Sequence, residues 1–468
     1  MRIFLQFTAL LLLLALVACE PKERAEWSPD GSRAAILADQ RLFFTDRQGG
    51  LSEALAEHEE GSGGVLVDSF DWLPDSSGLV LHRVRLVPRW EDLSAFLTPT
   101  DSARVESLAA RMPELLQAAV AIHGDEDRVD QLLTKLLPGE SLALTNALRL
   151  SLMKDAAPVH AALADAPLAL ASLVSGEKAD HGFLLHEIAV LRPDSGKPAE
   201  VLARGLRGVH SMRVSPRHPF VACAFETGEG SLYELVVIPL DSSPAVAVST
   251  EVTRAFDWTP DGISLVYMSS ISKENGGLVE IERRRILDDQ GKLTDPLPGS
   301  ENDGELAYAV VAFAPRLAVL SSGEILFASH PASLPAAAED LEESPRLYLL
   351  PADGSAPVAV PTEEGALPMD LGYFAPSPDG KRLAVVESGT DAVAVIDLKS
   401  GKSELVSPPH PGWKSRVMPS WRNAEEFSFV AADTYSGRIR WMLWKDGETS
   451  DLSVNWPDKI TQGWMERK

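Results

Sequence analysis

Phe256–Ser269 reads FDWTPDGISLVYMS, and Phe70–Arg83 reads FDWLPDSSGLVLHR, 186 positions earlier in the same chain. The phrase is a hairpin written out in residues. An apolar run closes on Trp258. Thr259, Pro260, Asp261 and Gly262 then supply turn chemistry, because Pro presets φ, Asp caps its own backbone and Gly accepts the positive φ that closes the turn. Ile263, Leu265 and Tyr267 alternate with Ser264, Val266 and Met268, which predicts strand, tight turn, strand. Trp72, Pro74 and Asp75, followed by Ser76, Ser77 and Gly78, spell the same element with a slightly longer loop.

Further copies begin at Trp27 (WSPDGSRAAIL), Val214 (VSPRHPFVACAF), Pro376 (PSPDGKRLAVV) and Trp421 (WRNAEEFSFVA), and Leu317–Ser329 (LAVLSSGEILFAS) fits the gap before Pro376. The Trp or its equivalent falls at 27, 72, 214, 258, 319, 376 and 421, with spacings of 45, 142, 44, 61, 57 and 45. A third apolar run ending in a turn recurs after several hairpins: RLFFTDRQGG, RLYLLPADGS, AVAVIDLKSG and RIRWMLWKDG. A short fourth run follows, as in PVAVPT and SELVSP. About 45 residues and four short strands per repeat is the signature of a β-propeller blade. The expected fold is all-β, a seven-bladed β-propeller, with a six-bladed count as the alternative because the fifth and seventh copies are degenerate. Residues 27–90 hold blade one and the first part of blade two; residues 178–468 hold the rest.

The repeats resemble TolB-type and WD40-like propeller repeats, whose turn reads Trp/Phe-Ser-Pro-Asp-Gly. The residues that carry the resemblance are Trp27, Pro29, Asp30 and Gly31; Trp258, Pro260, Asp261 and Gly262; and Pro378, Asp379 and Gly380 after Ser377. The motif speaks to fold and not to activity: its Asp residues are read as turn caps and its Trp residues as packing between blades. The resemblance implies a scaffold role by analogy only, since fold does not fix function. TolB-like proteins carry a separate α/β domain ahead of the propeller, and here the repeats start right behind the leader.

That leader is MRIFLQFTALLLLLALVACE. Arg2 precedes a short apolar run, which reads as a signal peptide over 1–18 rather than a bilayer span. Leu16-Val17-Ala18-Cys19 resembles the bacterial lipobox, which implies cleavage before Cys19 and its acylation. More than one acyl chain on Cys19 would anchor the protein firmly. Residues 19–26 form the linker, and Glu20 after the Cys favours the outer over the inner membrane. The expected location is the cell envelope, with the periplasmic face of the outer membrane preferred.

The chain has 43 Lys+Arg against 68 Asp+Glu, a net charge of −25, and loses one more positive charge with Arg2. Such a balance argues against nucleic acid as a partner. With Cys19 lipidated, Cys223 has no partner for a disulfide and reads as a small core residue within FVACAF.

The 142-residue spacing exceeds a blade by 97. Residues 91–177 turn Ala/Leu-rich; in DEDRVDQLLTKLLPGE, Val129, Leu132, Leu133 and Leu136 recur at helical spacing and Pro138-Gly139 stop the run. An α-helical insertion is expected in blade two, between GLVLHRVRLVP and FLLHEIAVLRPD. It is either a decoration on its own small core or a partner-binding element over one face.

The sequence contains no Gly-x-Ser-x-Gly, His-Glu-x-x-His or EF-hand pattern. A hydrolase domain after the last repeat is not expected, and no catalytic residue, metal or cofactor is assigned. His181 and His186 would fall on opposite faces of a strand. The leading expectation is a non-catalytic, lipid-anchored module that binds another envelope protein. The alternatives are a carbohydrate or peptide binder using the channel mouth, or a hydrolase or lyase with a site there.

Overall fold

The computed structural model describes residues 24–38, 40–52, 65–87, 183–205, 207–226, 232–271, 278–288, 290–294, 304–310, 316–330, 346–361, 371–387, 392–406, 413–415, 417–433, 435–436 and 438–461. Cys19, His181 and the insertion expected over 91–177 lie outside these residues. Among the described residues helix is confined to a 3-10 turn, Pro193–Ser195, and one short helix, α1 (Asp458–Thr461).

The remaining regular structure among the described residues is antiparallel sheet, laid down in chain order. The first sheet holds β1 (Arg24–Trp27), β2 (Arg33–Ala38) and β3 (Arg41–Asp46). The second holds β4 (Val65–Trp72), β5 (Leu79–Val87), β6 (Phe183–Leu191) and β7 (Glu200–Gly205). A seven-stranded sheet follows: β8 (Val209–Val214), β9 (Phe220–Glu226), β10 (Tyr233–Pro239), β11 (Val246–Trp258), β12 (Ser264–Ser270), β13 (Leu278–Arg285) and β14 (Gly304–Val310). Then come β15 (Leu317–Val319), β16 (Ile325–Ser329), β17 (Arg346–Leu350) and β18 (Val358–Ala359), and β19 (Leu371–Pro376), β20 (Arg382–Glu387), β21 (Val393–Asp397) and β22 (Ser403–Val406). The last sheet has β23 (Trp413–Lys414) and β24 (Ser420–Trp421) on one side of β25 (Glu426–Asp433), with β26 (Ile439–Lys445) and β27 (Glu448–Asp451) beyond.

All seven repeat phrases form the same hairpin. Trp27 pairs with Ala34, Trp72 with Leu79, Val214 with Val221, Trp258 with Leu265, Val319 with Ile325, Pro376 with Leu383 and Trp421 with Phe427. Among the described residues the sheets nevertheless number six: five with four or more strands and one with three. This departs from the seven separate blades expected from the repeats. The cause is β11, a strand of 13 residues whose first part pairs with β10 and whose last part pairs with β12. Elsewhere Gly or Pro breaks the chain between one repeat and the next, as at Gly208, Pro315, Pro361 and Pro408-Pro409. VAVSTEVTRAFDW contains neither, so the strand runs on.

Apolar clusters fill the spaces between neighbouring sheets. Ala35, Leu37 and Leu42 of the first sheet pack with Phe70, Trp72, Leu79 and Leu81 of the second. Val80 and Ile188 of the second pack with Met212, Val221 and Cys223; Cys223 is buried with a free thiol. The first sheet closes on the last through Trp27, Ile36, Val430, Trp441 and Trp456. Trp27 lies 5.0 Å from Trp441 ring to ring, and Trp441 lies 5.6 Å from Trp456. The backbone amide of Trp27 donates to Ser420 Oγ and its indole to Ser428 Oγ, both at 3.0 Å; the Trp456 indole donates to the Gly49 carbonyl at 2.8 Å. The described strands of the first and last sheets thus meet by packing and side-chain bonds.

The repeated Trp residues join one repeat to the one before. The indole of Trp72 donates to the Glu26 carbonyl, that of Trp258 to Arg213 and that of Trp421 to Ala375, at 3.1, 3.0 and 2.8 Å. Each acceptor directly precedes the equivalent position of the preceding repeat. A buried indole brings large apolar area and one N–H that needs a partner, and the repeat supplies that partner at a fixed register.

Candidate functional site at the loop-bearing end

The two ends of the ring are built differently. At one end sit the hairpin turns. Ser28 Oγ donates to Asp30 Oδ1 at 2.6 Å, Thr259 Oγ1 to Asp261 at 2.6 Å and Ser377 Oγ to Asp379 at 2.7 Å. Each Asp also accepts a backbone N–H two residues on, from Ser32, Ile263 and Lys381. Asp75 does the same with Ser77. Gly31, Gly262 and Gly380 take φ of 63, 70 and 68°, and Ser76 carries φ 60° in the second repeat. A Cβ on Gly31 would lie 2.4 Å from the Arg422 carbonyl oxygen, so this glycine also permits the closure of first sheet on last. The hydroxyl of Ser28 holds the Asp30 carboxyl down at about 2, and that of Ser77 keeps Asp75 low.

These turns touch one another around the ring. The Asp30 amide donates to Ser76 Oγ, Arg33 Nη2 to the Ser76 carbonyl and Arg217 Nε to the Pro260 carbonyl, at 3.1, 2.9 and 2.9 Å; Arg382 reaches the Ala424 carbonyl. The motif residues Trp27, Pro29, Asp30, Gly31, Trp72, Pro74, Asp75, Trp258, Pro260, Asp261, Gly262, Pro378, Asp379 and Gly380 therefore lie in hairpins and sheet-to-sheet packing.

Between the ends, the residue before the Trp makes a second link that the sequence reading passed over. Asp71 Oδ2 accepts the Val214 amide at 2.6 Å, and Asp257 Oδ2 accepts the Val319 amide at 2.9 Å. Each carboxylate reaches the first strand of the following hairpin. Burial pushes the Asp71 carboxyl up to about 6, against the pull of Arg213. It pushes Asp257 in the same direction, again opposed by Arg213. The only hint in sequence is that FDW occurs twice.

The opposite end carries the connections between second and third strands. The longest leaves β5 at Val87 and re-enters β6 at Phe183, and these two residues are direct cross-strand partners. The stem so formed is polar on both faces. On one, Glu187 is 1% exposed and sits between Arg83 and Arg204, which lie directly opposite it on β5 and β7. Arg83 Nη2 donates to Glu187 Oε2 at 2.7 Å and Arg204 Nε to Oε1 at 2.8 Å. Arg85, also buried, lies two residues further out. On the other face His82 Nε2 lies 3.0 Å from His186 Nδ1, and Asp68 Oδ2 lies 3.3 Å from His82 Nδ1. Leu66 and Leu86 stand at this end 40% and 42% exposed. His181 lies outside the described residues; the register sets His186 diagonal to His82, 104 residues away.

Buried charges cost several kcal/mol each unless their hydrogen bonds are met, and the stem concentrates them where the chain departs. Among the described residues no group of three or more His, Cys, Asp or Glu is arranged to hold a metal.

Repeated antiparallel hairpins, apolar packing between successive sheets and contact of the first sheet with the last define a β-propeller. No protein-family model and no curated protein matches the chain. Solved structures do. Puromycin hydrolase is similar at 17% identity and a TM-score of 0.42 over 57% of this chain, which spans 43% of the hydrolase. The β-propeller domain of Cps50 (Swd1) from Myceliophteria thermophila is similar at 11% identity and a TM-score of 0.46, over 90% of this chain and 96% of that one. TolB from Acinetobacter baumannii is similar at 16% identity and a TM-score of 0.38, over 56% and 58%. The chain thus spans less than half the length of puromycin hydrolase.

Proposed function

We propose that this chain is a lipid-anchored envelope propeller that binds another protein at its loop-bearing end and performs no catalysis. One observation carries the reading: the longest excursion, from Val87 to Phe183, issues from that end on a two-stranded stem. A scaffold with rigid strands and function on its loops is the usual division of labour. The tight-turn end has its motif carboxylates committed to turns, which leaves the other end for recognition.

The anchor would act at the same end. β1 starts at Arg24 and runs towards the turn end, so its first residue lies at the loop-bearing end. From Cys19 to Arg24 the chain can extend roughly 15–20 Å. A lipid on Cys19 would hold the loop-bearing end close to the bilayer, and the partner would be a membrane-embedded or membrane-bound protein.

We further read the seven-stranded sheet as two blades that share β11, which makes seven blades from seven hairpins. The shared register of the seven hairpins supports this count.

The functional test uses three forms of the full chain: wild type, Cys19→Ala, and a form with 91–177 replaced by a short Gly/Ser loop. Each is captured from detergent-solubilised envelopes. We expect wild type to retain a defined partner, the loop form to lose it, and Cys19→Ala to leave the membrane fraction. Equal capture by the wild-type and loop forms would move recognition off the excursion; no capture by either would turn the search to small ligands at the channel mouth.

A further inference from the structure

Two kinds of hydrogen bond join successive hairpins at the motif position, and one joint has residues that can make neither. In the first kind the motif Trp sends its indole N–H back to the preceding hairpin: Trp72 to the Glu26 carbonyl, Trp258 to that of Arg213 and Trp421 to that of Ala375. In the second kind the side chain before the motif position accepts the amide of the following hairpin: Asp71 from Val214, Asp257 from Val319 and Ser420 from Trp27. The two kinds alternate from the first hairpin to the fifth. They resume from the sixth, through the seventh, to the first.

The links between the first and fifth hairpins also share residues. The peptide between Arg213 and Val214 gives its N–H to Asp71 and its carbonyl to Trp258. Asp71 Oδ1 accepts the Trp72 amide at 3.0 Å and Asp257 Oδ1 the Trp258 amide at 2.9 Å, while the second oxygen of each serves the next hairpin. Linked residues thus run without a break from Glu26 to Val319. Hydrogen bonds are directional, and chained ones reinforce one another, so this arc holds its sheets at fixed angles. The continuous strand β11 adds to the joint between the third and fourth hairpins.

The joint between the fifth and sixth hairpins is different in kind. Its motif residue is Pro376, which has no amide hydrogen and no indole. The residue before the fifth motif position is Ala318, whose side chain accepts nothing. The packing there is apolar, with Leu320, Leu326 and Leu347 against Phe374, Leu383 and Val385. The Arg316 guanidinium lies 4.6 Å from the centre of the Tyr373 ring. Apolar burial is non-directional, and packed elements slide over one another in small steps.

We propose that the ring flexes at the joint between the fifth and sixth hairpins and is stiff at the others. A pivot at one joint changes the width of the central channel while every sheet stays intact. The seam between the last and first sheets is by contrast doubly held, because Trp27 gives its amide to Ser420 and its indole to Ser428. The place of flexing is thus set by which residue fills the motif position.

Spin-label pairs on the full chain test this in a Cys19→Ala background; Cys223 is buried and takes no label. Val358, Leu405 and Glu448 are exposed on β18, β22 and β27, the outermost strands of three successive sheets. Labels at 358 and 405 span the joint without a link, and labels at 405 and 448 span the linked joint beside it. We expect the first distance distribution to be about twofold wider than the second, or more. Equal widths overturn the proposal. Ala318→Asp with Pro376→Val supplies the acceptor and amide that Asp257 and Val319 provide one joint earlier, and should narrow the first distribution to the width of the second. A folded double variant whose first distribution stays wide overturns it as well. Should that variant fail to fold, Trp421→Phe removes the indole donor from the linked joint. The second distribution should then widen towards the first, and an unchanged width would refute the role of the links.

Discussion

The two ends of this ring solve the same problem with opposite means. At the turn end, polar side chains satisfy groups within five residues: Ser28, Asp30, Gly31 and Arg33 close one loop. At the loop end, Arg83 meets Glu187 and His82 meets His186 across 104 residues of chain. The lesson concerns robustness. A turn that caps itself is largely solvent-exposed and costs little to alter, whereas a buried ion pair depends on both partners arriving.

Breaking the loop end should therefore have the largest effect. Glu187→Ala leaves buried Arg83 without its carboxylate, and we expect a loss of about 3–5 kcal/mol in denaturant unfolding. Asp30→Ala at the turn end should cost about 1 kcal/mol, as for a helix cap. Comparable losses would erase the contrast between the ends.

The middle of the ring gives a sharper signature, in pH rather than magnitude. Burial raises the folded Asp71 carboxyl to about 6, against 3.8 for the solvent-exposed carboxyl of the unfolded chain. The folded state thus binds the extra proton between these values, and stability falls as pH rises from about 4 through 6, by on the order of 3 kcal/mol. Asp71→Asn keeps an acceptor for the Val214 amide but cannot ionise. Its unfolding free energy, measured against wild type across that window, should lack this fall. A matching fall in the variant would assign it to another group.

The smallest effect is expected where two hairpin units join. Thr250 and Glu251 of β11 are exposed, and pairing shifts register beside them. If β11 serves two blades, Glu251→Pro falls at an irregularity that tolerates proline and should cost about 1 kcal/mol or less. A loss near 3 kcal/mol, as for proline in a regular element, would mean the sheet is one continuous unit. Thermal unfolding decides between them.

Much of this architecture was legible in the residues. Seven phrases marked seven hairpins because turn chemistry is local: Pro, Asp and Gly act on the backbone beside them. The degenerate fifth copy still shows its turn at Gly323, with φ 87°. The missing breaker in VAVSTEVTRAFDW was equally visible, but not that β10 and β12 would both pair with that strand. Asp71 and Asp257 carry no motif of their own in sequence, and His186 was legible only as a strand residue on the opposite face from His181. Their roles depend on which strand lies alongside, and on the stem that brings His82 and His186 together again. Sequence by itself determined the repeated hairpin, since its turn follows from contacts a few residues apart. Only the tertiary structure decided which buried charges meet, because those pairings exist only once the sheets are in register.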